Sequence, residues 1–292
     1  MTTGYRDYHV HYYADGCAHA EMTLPNIAAE ASRLGINEVC VLKHYSQALP
    51  NNEAVWVCWK RIIPAQFAAF IQDIRSFAVP AGMRMLAGVE TELVNDDGDI
   101  NIPPEESAQL DAIILSVHWW PHMALAKPDP SLLPGNIEAS PAEALAAWRA
   151  TVQAVGAEVL LANLVTAYVR AIERHPRVCV LGHMFDGLLP LRSYAVPVDA
   201  LDDARLITIM DPLFRACASR QVLWELTPDA VVHPALLTAA HVRGVRFCAT
   251  ADAHFLQTPG WGNLHRHATA EAFLDQYRLT RGKLEVDMVT HP

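Results

Sequence analysis

The chain has 292 residues, 52% hydrophobic and 18% charged, a composition that fills a large buried core and excludes a disordered or low-complexity protein. Its net charge of −10, with histidines neutral, argues against a nucleic-acid surface, where a basic patch is expected. Six cysteines occur with no CxxC pair, so they read as buried or unbridged thiols in a reducing compartment, and the expected location is cytoplasmic.

The polar start MTTGYRDYH carries no expected targeting peptide. The first apolar run, Tyr8–Val10, carries His9 and His11. Side chains at i and i+2 of a strand share a face, so the two imidazoles point the same way. A helix is predicted from about Leu24 to Leu34, with Pro25 at its start and Gly35 stopping it. The second run, Glu38–Leu42, ends in Lys43-His44. A helix over about Pro64–Val79 leads to the third run, Met85–Val89, which ends in Glu90. The fourth, Ala112–Val117, ends in His118.

A longer section, about 119–176, then interrupts the pattern with a proline-rich loop and one or two helices from about Pro141 to Glu173. Its apolar stretch Val152–Val169 carries Glu158 and Asn163 and reads as a buried helix, not a membrane span. The fifth run, Val178–Gly182, ends in His183. A helix over Ala204–Ser219 leads to the sixth, Val222–Leu226, which contains Glu225. A helix over Pro234–Arg243 leads to the seventh, Val245–Thr250, which ends in Asp252-Ala253-His254. A last helix begins near Thr269. Short apolar runs alternating with helices predict βα units around a parallel sheet or barrel. The expectation is one domain over 1–292.

Most of the runs end in, or contain, a histidine, aspartate or glutamate. In α/β barrels the chemistry sits at the C-terminal strand ends. Repeated placement of such residues there points to one converging set: His9, His11, His19, His44, Glu90, His118, His183, Asp252 and His254. Imidazole and carboxylate suit zinc, manganese and iron. The set exceeds one tetrahedral ion and suits two or three divalent ions bridged by a carboxylate, for which Glu90 is the choice. Lys43 and Arg192 are candidates for holding a substrate anion. Lys43 turned into solvent is the equal alternative. Trp119, with Trp120, offers a stacking wall for a flat leaving group, or simply core aromatics. His265 and His267, flanking Arg266, could reach the anion but read rather as solvated, and Glu225 reads as either an orienting partner of a ligand histidine or an ordinary polar interruption.

The order His9-Val10-His11, His44, Glu90, His118, His183, Asp252-Ala253-His254 resembles the PHP (polymerase and histidinol phosphatase) family, over about Asp7–His254. The resemblance implies a distorted (β/α)7 barrel, TIM-like, with a trinuclear metal centre. It implies that His9, His11, Glu90 and Asp252 hold one ion, Glu90, His118 and His183 a second, and His19, His44 and His254 the third. Cys17-Ala18-His19-Ala20 looks like the histidinol-phosphatase branch. Asp15 competes with His19, since other branches use an aspartate in this loop. Members commonly carry Thr-Asp-His where this chain has Leu42-Lys43-His44.

The activity implied is metal-dependent hydrolysis of a small phosphomonoester (histidinol phosphate, a nucleotide or a sugar phosphate) by a metal-bridging hydroxide. Asp252, His254 and Glu90 are the expected catalytic groups. The alternative is amidohydrolase-type cleavage of a C–N or C–O bond. It is disfavoured because the bridging candidate is Glu90 on the third run, where those enzymes often use a lysine on the fourth strand. A nuclease module and a non-catalytic metal-binding protein are further alternatives. The expected partner is a small phosphorylated molecule, with neither nucleic acid nor membrane.

Overall fold

The computed structural model describes residues 4–15, 17–45, 67–93, 95–117, 150, 153–183, 201–230, 233–257 and 260–285. Seven strands run β1 (Tyr5–His11), β2 (Ile36–Tyr45), β3 (Arg84–Glu92), β4 (Ala112–Ser116), β5 (Val178–Leu181), β6 (Leu223–Leu226) and β7 (Phe247–Ala249). They pair in parallel in sequence order. Just past β7 the sheet returns to β1. His11 donates its backbone N–H to Ala253 O at 2.8 Å, and Ala253 N donates to His9 O at 2.9 Å. The product is the nearly closed, distorted (β/α)7 barrel that the sequence predicts.

The helices are α1 (Leu24–Arg33), α2 (Phe67–Ser76), α3 (Pro104–Ser107), α4 (Ala157–Arg174), α5 (Asp203–Arg220), α6 (Pro234–Val242) and α7 (His267–Gln276). In α1 the buried positions Leu24, Ile27, Ala28 and Ala31 recur at helical spacing and form one face against the sheet. In α4, Leu160, Leu161, Leu164, Val165, Tyr168, Ala171 and Ile172 do the same. Among the described residues no helix is long and apolar enough to cross a membrane. The proline-rich loop and the predicted helix start at Pro141 lie outside the described residues.

Two apolar layers hold the barrel. Tyr8, Cys40, Leu42, Leu86, Ala112, Ile114, Val180, Leu223 and Cys248 fill its interior. Val39, Val41, Tyr45, Val89, Ile113 and Leu181 face the helices. Both faces of each strand are therefore apolar, as parallel strands covered on both sides require. Burying each Val, Leu or Ile contributes roughly 1.5–3 kcal/mol relative to exposure. The interior is tight near its upper end. A side-chain carbon at Gly182 would overlap Ser116 Oγ and Ile114 Cγ2, so β5 passes this level only as glycine.

One irregularity aims the first motif. Against β2, Asp7 is level with Val39 and Val10 with Val41, three steps on β1 for two on β2. The extra residue is a β-bulge, which re-aims side chains at a barrel rim. Below it Tyr8 fills the interior. Above it His9 and His11 face inward, while Val10 stays in the outer layer.

Candidate metal centre

The polar residues converge at the C-terminal ends of the strands. His9 and His11 from β1, His44 from β2, Glu90 from β3, His183 after β5, Glu225 from β6 and His254 after β7 are all buried. Asp252 is 14% exposed. The tightest group is His9 Nε2, His11 Nε2, Glu90 Oε2 and Asp252 Oδ1. The two nitrogens are 3.1 Å apart. Glu90 Oε2 lies 3.3 Å from His9 Nε2 and 3.4 Å from His11 Nε2. Asp252 Oδ1 repeats those two distances, 3.3 and 3.4 Å. His9, His11 and Glu90 bring their facing atoms together within the span that one divalent ion needs of its ligands, and Asp252 approaches the same two imidazoles. The donor set and its spacing therefore fit a divalent cation.

Glu90 faces two ways. Its Oε2 also meets His44 Nε2 at 2.9 Å, and its Oε1 meets His183 Nε2 at 3.0 Å. This is the disposition a bridging carboxylate needs. His118, expected beside His183, lies outside the described residues, as do Trp119 and Arg192.

The charges account for themselves only jointly. Burial alone would push the His9 pKa down, but Glu225, Glu90 and Asp252 outweigh it and raise it well above the ordinary histidine value. Burial alone would raise the Asp252 pKa, but His9, His11 and His254 hold it well below the usual carboxylate range. Carboxylates this deep keep their charge only where positive charge converges on them.

Glu225 orients the ring of His9. It accepts from His9 Nδ1 at 2.7 Å, from Thr250 Oγ1 at 2.6 Å, and from the backbone N–H of His183. With Nδ1–H committed to Glu225, His9 turns Nε2 to the centre, the nitrogen a bound cation would take in place of its proton, as in metal-binding histidines. Two residues of the centre hold left-handed backbone, His183 at φ +30° and Asp252 at φ +46°. Such conformations cost about 1–3 kcal/mol each and persist only when their surroundings fix them. Here Glu225 grips the His183 N–H, and Asp7 grips the N–H of Ala251 at 2.9 Å.

The loop residues divide. His19 is 55% exposed, with Nδ1 3.8 Å from Glu21 Oε1. Cys17 instead sits over the centre, its Sγ 3.5 Å from His44 Nδ1 and 3.8 Å from His11 Nδ1. Lys43 is 1% exposed, so it does not point into solvent. It follows the outward positions Val39 and Val41 of β2, while His44 lies on the inward face. His267, expected to be solvated, is instead buried beneath β1, where its Nδ1 meets Asp7 Oδ2 at 3.0 Å.

Sequence reasoning also overlooked Trp261. Its ring lies 4.6 Å from that of His254, tilted by 31°, and 57% of the residue is exposed. Gly262, at φ +66°, brings the chain so close that its carbonyl accepts from His254 N at 2.6 Å. Any side chain there would strain the backbone and crowd His254 Nδ1. The signal was present as Gly260-Trp261-Gly262.

Fold and site together define a class: a seven-stranded parallel barrel with a histidine–carboxylate cluster, suited to divalent metal, at its strand ends. No protein-family model matches the chain. It is 32% identical over 113 residues to a probable phosphatase of Vibrio atlanticus, and this match spans 39% of the relative's length. It is 25% identical over 274 residues to a probable phosphatase of Vibrio vulnificus, spanning 94% of this chain and 87% of that one. Among solved structures, the histidinol phosphate phosphatase of Lactococcus lactis, complexed with zinc, L-histidinol and phosphate, superimposes with a TM-score of 0.53. That alignment has 15% identity and covers 97% of this chain and 99% of the other. A putative histidinol phosphatase from Listeria monocytogenes gives 0.54 at 15% identity, covering 88% and 98%. The chain has the fold of these enzymes, and these findings agree with the resemblance to PHP phosphoesterases read from its motifs.

Proposed function

We propose that the protein is a metal-dependent phosphatase acting on a small phosphomonoester. The observation that carries this reading is the group of His9, His11, Glu90 and Asp252 at the barrel mouth, where the two imidazole nitrogens stand 3.1 Å apart and 3.3–3.4 Å from an oxygen of each carboxylate. The relatives that carry the name phosphatase add to it.

His9, His11, Glu90 and Asp252 would hold one ion. Glu90 and His183 would hold a second together with His118. His44 and His254 belong to a third position. When bound, divalent ions lower the pKa of a water toward neutrality and neutralise charge developing on a phosphoryl group. They also reverse the sign of the site. Glu90, Asp252 and Glu225 alone would repel a phosphate, so the cations are what make it an anion site.

The chain's own groups do the remaining work. Glu225 fixes the ring of His9. Glu90, with one oxygen toward His9, His11 and His44 and the other toward His183, would hold ions on both sides. Asp252 and His254, at the mouth, are placed to serve the leaving oxygen, and the exposed face of Trp261 is placed for the group it carries. Histidinol phosphate, nucleotides and sugar phosphates are the substrates to compare. The ions are zinc, manganese or iron.

The test is phosphate release from a panel of such monoesters, using protein purified without chelators and supplied in turn with zinc, manganese and iron. Release that depends on metal is the expected result. No release from any monoester, with metal analysis showing bound ions, overturns the reading.

A further inference from the structure

We propose that Arg266 and Asp229 form a latch that holds the indole of Trp261 in place at the barrel mouth and so sets a preference for leaving groups with a flat ring. The proposal rests on the phosphatase reading above and names residues that tune its specificity.

The loop that carries Trp261 is zipped at its base. His254 N and Phe255 N both donate to Gly262 O, at 2.6 and 2.9 Å, and Leu264 N donates to Phe255 O at 3.0 Å. Phe255 and Asn263 pair there as a short parallel bridge. On the other side of the indole the chain turns through Gly260, at φ +125°. Glycine is the residue whose backbone freedom costs most to remove. An indole with a glycine on each side swings about both unless the chain is gripped at Gly260.

Arg266 supplies the grip. Its Nη1 reaches Gly260 O at 3.5 Å, the long end of hydrogen-bond range. The same guanidinium forks onto Asp229, Nη1 to Oδ2 and Nη2 to Oδ1, both at 2.8 Å. Two-point pairing is the geometry in which a partly exposed arginine–carboxylate bridge holds better than an ordinary surface pair. Each end is itself anchored. Arg266 N donates to Asn263 O at 2.9 Å, and the buried Asn263 accepts from His265 N through Oδ1 at 2.8 Å. Asp229 follows β6 in a turn closed by Ala230 N donating to Thr227 O at 3.1 Å. The latch therefore ties the loop after β7 to the end of β6, the strand that carries Glu225.

Arg266 is a positioning residue. Asp229 neutralises its charge and takes both terminal nitrogens, so it is committed to the loop and acts through Trp261. The indole ring lies 4.6 Å from that of His254 with 57% of the residue exposed. A ring that stacks on an indole already in place does not have to order it. Ordering one loose side chain on binding weakens affinity by a factor of about 2–10. A leaving group without a flat ring makes no use of the indole and is indifferent to the latch.

The experiment compares 4-nitrophenyl phosphate with glycerol phosphate as substrates of the metal-loaded full chain. Arg266→Ala should raise KM for the aryl ester about 2- to 10-fold. It should leave kcat, metal content and the KM for glycerol phosphate near their wild-type values. Arg266→Lys, which keeps a charged donor, should recover part of the loss. In a Trp261→Ala background Arg266→Ala should add nothing, because the two act as a unit. An unchanged KM, an additive effect, an equal rise for both esters or a lost metal ion overturns the latch. Should Arg266→Ala fail to fold, Asp229→Asn opens the fork from its other side, with the same expectations. A readout independent of turnover is the fluorine resonance of Trp261 in protein made with 5-fluorotryptophan, assigned by its loss in Trp261→Phe. Arg266→Ala should shift it toward the solvent-exposed value, and an unmoved resonance overturns the latch. A moved resonance, with no monoester cleaved by the wild type, overturns the phosphatase reading and the substrate class drawn from it but leaves the latch.

Discussion

Two buried clusters of histidine and carboxylate flank β1, one at the barrel mouth and one beneath α7. In the second, Asp7 accepts from the backbone N–H of His9 at 3.0 Å, from Ala251 N at 2.9 Å and from His267 Nδ1 at 3.0 Å. His267 Nε2 lies 3.6 Å from Glu271, which in turn holds Arg281 at 2.8 Å. Here each carboxylate faces its own partner within the protein, and His267 Nε2, at 3.6 Å from Glu271, is an ion-pair contact beyond hydrogen-bond reach. At the mouth the pattern differs. The Nε2 atoms of His9 and His11 face each other and two carboxylate oxygens across one small space. Residue types alone would not separate the clusters. What separates them is whether the polar atoms face partners or converge on a common point. The first arrangement makes an ion pair, and the second makes a cation site.

The largest expected effect comes from breaking that convergence. Glu90→Ala removes the carboxylate shared by His9, His11, His44 and His183. Bound metal and phosphatase activity should fall together, the latter by at least about 10²–10³-fold, the scale for losing one preorganised electrostatic group. Metal analysis and turnover measured on the same sample check it. Full activity after metal loss would end the scheme.

A smaller effect is expected one bond further out. Glu225→Gln keeps the shape but weakens the acceptor for His9 Nδ1 and the His183 N–H. Loss of such an orienting partner typically lowers metal affinity about 10–100-fold. Competition with a chelator of known affinity measures it. An unchanged affinity would mean that the His9 ring is held by packing alone.

The second cluster should answer to pH and ignore metal. Burial opposes charge on His267, yet Asp7 and Glu271 lift its pKa to about 9. A folded pKa above the unfolded value of roughly 6.5 means the stabilisation is complete below pH 6.5. It is lost as pH rises through about 9, and its full size is about 3 kcal/mol. His267→Gln should flatten the fall in urea midpoint between pH 6.5 and 9. Chelators should leave that slope unchanged. A slope that follows metal content instead would erase the distinction between the two clusters.

The sequence made the barrel legible because each parallel strand is buried on both faces and reads as an apolar run, with polar residues only where it surfaces at the mouth. Predicted runs such as Met85–Val89 lie inside observed strands such as Arg84–Glu92. The features that were not legible depend on partners far along the chain. The bulge that turns His9 inward exists only as register against β2. Asp7 finds its partner 260 residues away. His267 reads as solvated in the sequence, where it stands beside Arg266 ahead of a helix expected from about Thr269. With its start at His267, positions 267, 270, 271 and 274 form one buried face. The outward turn of the His19 side chain goes with a loop hydrogen bond from its backbone N–H to His254 O, which no local pattern encodes.

The smallest expected effect tests where the mouth stops being a metal site and becomes a substrate site. Trp261 meets the ring of His254, and most of its own surface faces outward. An exposed indole fixed between two positive-φ glycines loses little freedom when a planar group stacks on it. Aromatic stacking contributes about 0.5–1.5 kcal/mol beyond burial, so Trp261→Ala should raise KM roughly 2- to 10-fold for phosphomonoesters with a flat ring in the leaving group. Metal content and kcat should hold, and KM for a monoester with an acyclic leaving group should stay near the wild-type value. An equal rise for both kinds of monoester would make Trp261 a prop for His254, and the boundary would then lie further out, beyond the indole.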